Sequence, residues 1–334
     1  MQNENEPSPS NAKRDHGVKG RRRISPWRLL LLALIVSGFV FYFVKHPERL
    51  PDWGALRWEY FSTVIVLSVL ANLAAAFGYH AILKKCHASL GYVQTVRIFI
   101  VGRTLNLISP QGGTLYAAVA LKSGSGLSYT QYTATMAANL WLDLTLASIT
   151  AAIALLISQP SELHVLFWIF IAAFFLSIIG IRVALVLTLR GQWEKLPFTL
   201  IPRRIRMRFI EASVIFADLM GNSRLCLTFG AWALVNTTLH GIRLWLCFAM
   251  VEAWIPWSEA FATTILVKAS NTISITPGNF GIVEGIIGLM GSSFGLSAGA
   301  AVVAGLAYRF ASYIALFGTS LCFIIFKTDS IKTP

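Results

Sequence analysis

The sequence predicts an all-α, polytopic membrane protein, and three observations support this fold class. Of the 334 residues, 55% are hydrophobic and only 13% are charged, and the mean hydropathy is +0.64. This composition is too apolar for a soluble domain of such length. Several apolar runs are long enough to cross a bilayer as helices. The basic residues also cluster beside such runs, which indicates a membrane surface rather than nucleic acid as their neighbour.

Six apolar runs reach the length of about 20 residues that a spanning helix needs. They cover residues 27–45, 59–82, 130–157, 163–188, 225–251 and 297–326. Residues 1–26 are polar and basic, which predicts a disordered tail before a single transmembrane domain of 27–326. Residues 327–334 form a second short tail. No small-residue cleavage site follows the first run, so a retained span is favoured over a signal peptide.

Two further apolar stretches, about 92–122 and 259–291, are interrupted in the middle by Pro and Gly. Neither arm of either stretch is long enough to cross comfortably, so both stretches predict re-entrant hairpins. The alternative is a pair of short, kinked, ordinary spans, and hydropathy does not separate the two. The predicted tip residues are Pro110, Gly112, Gly113, Pro277, Gly278, Asn279 and Gly281.

Loop charge predicts the orientation of the spans. Lys and Arg are concentrated before the first span and in residues 189–224, and both regions should therefore be cytoplasmic. The loops near 159–164 and 252–259 contain no Lys or Arg and should lie on the other side. The topology closes if each hairpin begins and ends on one side. We therefore expect both termini in the cytoplasm and the protein in a bacterial inner membrane.

This topology contains an internal repeat. Residues 59–157 and 225–326 each follow the order span, hairpin, span, and the two units have opposite predicted orientation. The tips are also alike, because NLISPQGG at 106–113 and NTISITPGNFG at 271–281 share Asn, then Ile-Ser, then Pro and Gly. An inverted repeat with interrupted segments at matching positions is typical of transporters with a site near the bilayer midplane.

Charged residues within the predicted membrane depth are candidates for that site. They are Arg103, Asp143, Arg182, Arg243, Lys268, Glu284 and Arg309. Each costs about 2.5–3.5 kcal/mol on insertion scales and should face a partner or a wet cavity. Arg182 lies near the cytoplasmic end of its span and is expected to snorkel. The other six are the predicted substrate-binding residues, and their excess of positive charge favours an anionic head group.

Spacing and position predict three pairings among these residues. Glu284 and Arg309 should form an ion pair between the second hairpin and the last span, either as structural glue or as a switchable gate. Arg103 is the expected counter-ion of Asp143. His240 lies three residues before Arg243 on one helical face, so the two can act together. The broken helices at the tips also offer N–H groups that favour an anion such as a phosphate.

Enzyme chemistry is not indicated. The sequence has no Walker loop, no acidic cluster for Mg²⁺ and no Ser-His pair at a useful spacing. Its four cysteines lie far apart without ligand spacing, so neither a disulfide nor a metal site is expected. We therefore predict no catalytic residue, no cofactor and no metal.

The segment ITPGNFGIVEG, together with GLAYRFASYIALFG, resembles a known family. The two segments are similar to the Pro-Gly-x-x-Gly-x-x-Glu hairpin and the Tyr-Arg span of the lysylphosphatidylglycerol synthase transmembrane family, whose members are also called flippase-like. The resemblance covers about 59–326. The positions that carry over are Pro277, Gly278, Gly281, Glu284 and Arg309. At the first hairpin, Thr114 and Ala117 stand near the places where the family usually has charges.

The resemblance implies transbilayer movement of a lipid or a lipid-linked molecule. Bifunctional members carry a cytoplasmic aminoacyl-transferring domain, and we expect that this chain is not a synthase by itself. The expected cargo is an anionic phospholipid or a polyisoprenyl phosphate. The alternative is an accessory subunit that positions a lipid-modifying enzyme or glycosyltransferase, with the amphipathic run at 203–220 docking a partner or lying on anionic lipid. An intramembrane lipid-phosphate enzyme is less favoured.

Overall fold

The computed structural model describes residues 56–86, 89–109, 111–158, 164–189, 203–271 and 277–325. Within these ranges the chain forms ten α-helices and one short 3₁₀ turn, and no strand. The expected first span at 27–45, both tails and Pro110 lie outside the described residues.

The helices follow one another with short connections. They are α1 (Trp58–Lys85), α2 (Tyr92–Ile108), α3 (Gly112–Ser125), α4 (Tyr129–Ser158), α5 (His164–Leu189), α6 (Arg203–Gly221), α7 (Ser223–Met250), α8 (Trp257–Ser270), α9 (Ile282–Ser293) and α10 (Ala298–Ile325). The 3₁₀ turn, Pro277–Asn279, precedes α9.

Four helices are long and apolar enough to cross a membrane within the described part of the chain. These candidate spans are Trp58–Lys85, Tyr129–Ala154, Ser223–Met250 and Ala298–Phe323, and they confirm four of the six predicted runs. The run at 163–188 forms α5, whose 26 residues extend over about 39 Å at 1.5 Å per residue. Large apolar side chains, including Leu227 and Leu289, point outward from the bundle, as expected of helices that face lipid.

Each interrupted stretch contains two short helices, which fits both the predicted re-entrant hairpin and the alternative of short, kinked spans. In the first, α2 and α3 have 17 and 14 residues, and in the second, α8 and α9 have 14 and 12. The two arms of each stretch pack against each other. The order long, short, short, long therefore occurs in α1–α4 and again in α7–α10. The opposite orientation of the two units stays a prediction.

The helix breaks coincide with backbone that cannot continue a right-handed helix. Gly278 and Gly281 have φ of 58° and 86°, and Asn279 between them has φ of 56°. Glycine populates this region freely because it lacks a Cβ, and Asn tolerates it better than most residues. At the first break, Gln111 occupies the left-handed region with φ of 64°. The described backbone therefore leaves the right-handed helix at or beside the predicted tip residues.

Helix α7 lies at the centre of the bundle and determines where the polar residues meet. It packs along α1 and also against α4, α8 and α10. Small residues permit this close approach, because Gly78 of α1 lies against the ring of Phe229. The buried core between α7, α9 and α10 includes Phe248, Ile287 and Ala304. Polar side chains in the middle of α7 consequently face the two hairpins rather than lipid.

Candidate functional site

A cavity of about 230 Å³ lies between the two hairpin tips and helices α1, α7 and α10. The first hairpin contributes residues from the end of α2 and the following turn, and the second contributes the end of α8 and the 3₁₀ turn. The polar lining residues are Asn72, Arg103, Asn106, Gln111, His240, Arg243, Asn271, Asn279, Tyr308, Arg309, Ser312 and Tyr313. The cavity is thus formed where both interrupted stretches meet the central helix.

Arg243 is the most deeply buried cation of this cavity, with an exposed fraction of 1%. Its Nη1 lies 3.0 Å from His240 Nδ1, and its Nη2 donates to the Tyr308 carbonyl and to Ser312 Oγ. The guanidinium also lies over the Tyr308 ring, 4.4 Å from the centroid. Its Nε has no hydrogen-bond partner among the described residues. The predicted association of His240 with Arg243 is confirmed, and the charge itself is not neutralised by these groups.

Arg103 enters the cavity from α2 and is held by a neutral partner. Its Nη1 donates to Asn72 Oδ1 at 2.9 Å, and its guanidinium lies 5.5 Å from the Phe99 ring centroid. Within the described ranges, no carboxylate lies within 4.0 Å of Arg103 or Arg243. Two arginines therefore face one cavity without an ion-pair partner in the described part of the chain.

Glu284 and Arg309 form the predicted ion pair, with Arg309 Nε 2.6 Å from Glu284 Oε1. The Nε–H does not point along this line, so the contact is ionic rather than a hydrogen bond. The same guanidinium donates to the carbonyl oxygens of Gly278 and Asn279. Glu284 Oε2 accepts from the backbone N–H of Gly281 at 2.7 Å. The pair thus holds the second hairpin tip against α10, and we refer to the Glu284–Arg309 pair as the clasp.

The expected pair between Arg103 and Asp143 is not formed. Asp143 Oδ1 instead accepts from Lys268 Nζ at 2.8 Å. Lys268 also donates to Asn236 Oδ1 at 3.1 Å and to Thr237 Oγ1 at 2.9 Å, which occupies all three ammonium protons. The reason is packing, because α8 lies beside both α4 and α7. Neither Lys268 nor Asp143 lines the cavity, so the structure places these two predicted binding residues in a bridge between helices.

Asn106 and Asn271 at the hairpin ends are functional candidates that the sequence analysis missed, whereas Asn279 was among the predicted tip residues. Asn106 Oδ1 accepts from the Gly113 backbone N–H at 2.8 Å. Asn279 Nδ2 donates to the Ser270 carbonyl and to Asn271 Oδ1, both at 3.1 Å. Asn106 and Asn271 are the first residues of the two similar tip motifs, so that similarity was the available signal. No sequence signal marked Asn72 or Ser312 as part of the site.

A family model described as the lysylphosphatidylglycerol synthase TM region matches residues 27–318. The chain belongs to this family. The match includes both hairpins, the central helix and the Glu284–Arg309 clasp, and it confirms the resemblance seen at the second hairpin. Membership and the apolar helices together make the chain an integral membrane protein of a family related to lipid handling. The comparisons with curated proteins and with solved structures gave no match.

Proposed function

We propose that this protein moves an anionic lipid or lipid-linked molecule across the bilayer, without itself catalysing a covalent reaction. The observation that carries the proposal is the pair Arg103 and Arg243. Both line one cavity, and neither has a carboxylate within ion-pair distance in the described part of the chain. Arg243 is buried and Arg103 is half-buried, and cations at such positions are costly unless they are paired, so the cavity favours an anionic occupant.

A phosphate group fits the chemistry of these side chains. The planar guanidinium matches phosphate oxygens in a bidentate way, and such charge-assisted hydrogen bonds are stronger than neutral ones. Arg243 has a buried Nε–H without a partner, and it is held in place by Ser312 and the Tyr308 carbonyl. Because Arg103 belongs to the first hairpin and Arg243 to the central helix, a phosphate between them would join two separate elements.

The size of the cavity supports head-group binding rather than enclosure of a whole lipid. Its volume of about 230 Å³ lies below the range of about 300–1,000 Å³ that is usual for drug-sized ligands. The acyl or isoprenyl chains would therefore remain in the bilayer, beside the exposed apolar faces of the helices. In this proposal the two hairpins are the moving parts of an inverted repeat that alternates access to the head group. Placement in a bacterial inner membrane with cytoplasmic termini belongs to the same proposal.

The second candidate function, an accessory subunit, is favoured by one feature of α6. This helix exposes Ile205 and Phe209 next to the exposed basic residues Arg204 and Arg208. An apolar face flanked by arginines suits the surface of an anionic bilayer and also a docking partner. Loss of the cavity arginines would not affect such a role, which distinguishes it from lipid movement.

The test is transbilayer movement of fluorescent phosphatidylglycerol in proteoliposomes, followed by quenching of the outer-leaflet label. Arg103→Gln and Arg243→Gln should each slow the movement at least tenfold, because each removes one phosphate contact. Arg224→Gln is the matched control, since Arg224 is exposed on the same helix as Arg243. This variant should move lipid at the wild-type rate. Monodisperse elution in detergent establishes that each variant is folded. Wild-type rates in both cavity variants would overturn the proposal.

A further inference from the structure

We propose that the head group is a phosphate whose remaining part is uncharged and rich in hydroxyl groups, such as glycerol or a sugar. The cavity would then reject an aminoacylated head group that carries an ammonium. This inference rests on the proposed function and specifies its substrate class. It follows from the charge and hydrogen-bonding capacity of the cavity lining.

The described lining contains three arginines and no Asp or Glu. Two segments at the tips lie outside the description, residue 110 and residues 272–276, and by sequence they are Pro and TISIT. They therefore add no carboxylate to the tips. Arg103 and Arg243 would repel a cationic head group, and the described lining residues include no negative side chain that would attract it.

The two carboxylates beside the site in the described chain, Glu284 and Asp143, already have cationic partners. Glu284 has an exposed fraction of 0%, and its two oxygens face Arg309 and the Gly281 backbone N–H. Asp143 accepts from Lys268, outside the cavity lining. Freeing either carboxylate for a ligand ammonium would leave a partly or fully buried cation without its counter-ion, which is unfavourable.

The remaining polar lining is neutral and includes an unused acceptor. Asn279 Oδ1 is buried and has no hydrogen-bond partner among the described residues. The hydroxyl of Tyr313 accepts from Arg309 Nη1 at 2.9 Å, which leaves its own O–H able to donate. A ligand hydroxyl can both donate to Asn279 and accept from Tyr313. Arg243 and Asn279 both line the cavity, and the Arg243 Nε–H and the Asn279 Oδ1, which have no partner among the described residues, thus match a phosphate and a hydroxyl.

The test compares fluorescent tracers that differ in the head group, and the two phospholipids among them carry the same labelled acyl chain. Proteoliposomes receive phosphatidylglycerol, a glycosyl polyisoprenyl phosphate or lysyl-phosphatidylglycerol. At least one of the two anionic tracers should move at least tenfold faster than lysyl-phosphatidylglycerol. Equal or faster movement of the lysyl lipid would overturn this inference and leave the proposed function standing. If no tracer moves, the proposed function itself fails, and this inference fails with it.

A variant tests whether charge is the reason for the selectivity. Gln111 lines the cavity and is exposed, so Gln111→Glu adds a carboxylate at the mouth of the site. The ratio of anionic to lysyl transport should fall at least threefold. Gln94→Glu is the matched control on the same hairpin, because Gln94 lies outside the cavity lining and a Glu can accept equally from the Gly91 N–H. An unchanged ratio in a monodisperse Gln111→Glu protein would contradict charge-based selection.

Discussion

The two hairpins have the same order of helices but are held together by different forces. In the first, α2 and α3 approach so closely that a Cβ on Gly113 would overlap the Gly102 carbonyl oxygen. In the second, the tip is clasped by the ion pair of Glu284 with Arg309. The first tip therefore depends on the lack of a side chain at Gly113, and the second depends on the buried ion pair.

This difference determines which arginines line the cavity without a carboxylate partner in the described part of the chain. The guanidinium of Arg309 is occupied by Glu284 and by the carbonyls of the second tip. Among the described residues, the first tip is closed by the Asn106 hydrogen bond and the glycine contact, neither of which involves a charge. Arg103 is consequently free to face the cavity.

The largest expected effect comes from breaking the clasp of the second hairpin. Glu284→Ala leaves Arg309 buried without its counter-ion, and removal of one partner of a buried pair costs about 3–5 kcal/mol. The free energy of unfolding in detergent should fall accordingly. Glu59→Ala is the control, because the ion pair of Glu59 with Arg57 is exposed, and its stability should match the wild type. Equal stability of the two variants would refute the clasp.

The next effect concerns the glycine contact of the first hairpin. Gly113→Ala should lower the unfolding free energy by about 1–3 kcal/mol, because the added methyl group forces α2 and α3 apart. Gly124→Ala in the same helix is the control. It has only an ordinary contact with Leu90 and should gain up to about 1 kcal/mol from helix propensity. A spin-label distance between α2 and α3 should increase only in the first variant, and an unchanged distance would contradict the close approach.

A third variant tests the ion pair of Lys268 with Asp143, which lies outside the hairpin tips. Lys268→Met removes the cation that joins α4, α7 and α8 and leaves Asn236 and Asp143 with unsatisfied acceptors. We expect a loss of about 1–3 kcal/mol in unfolding free energy, smaller than for the clasp because Asp143 remains partly exposed. The double variant Asp143→Asn with Lys268→Met should be more stable than the single variant. Additive losses in this double-mutant cycle would argue against the bridge.

The smallest effect is expected from the left-handed residues of the tips. Gln111→Gly should stabilise the protein by up to about 1 kcal/mol, because a non-glycine residue is strained at positive φ. Asn279→Gly should instead destabilise it, since Asn279 donates two hydrogen bonds to the end of α8. Thermal unfolding of both variants measures this contrast. A stabilising Asn279→Gly would show that those hydrogen bonds contribute little.

Much of the fold and one part of the site could be predicted from sequence because their signals are local. Apolar runs of about 20 residues predicted α1, α4, α7 and α10, and Pro and Gly predicted the breaks before α3 and α9. Glu284 and Arg309 also followed from local patterns, since each lies in a segment that resembles the family. Their pairing needed only that α9 and α10 be neighbours in the chain.

The tertiary structure alone decided the remaining pairings. Asp143 and Lys268 lie 125 residues apart, and Arg103 is held by Asn72 rather than by an acid. Hydropathy and helical spacing predict which residues are helical and which are buried, but they do not fix how one helix is rotated against another. That rotation brings Lys268 to Asp143 and leaves Arg103 and Arg243 without a counter-ion among the described residues. Hydropathy predicted positive charge within the membrane, but only helix packing determined which of those charges line the cavity.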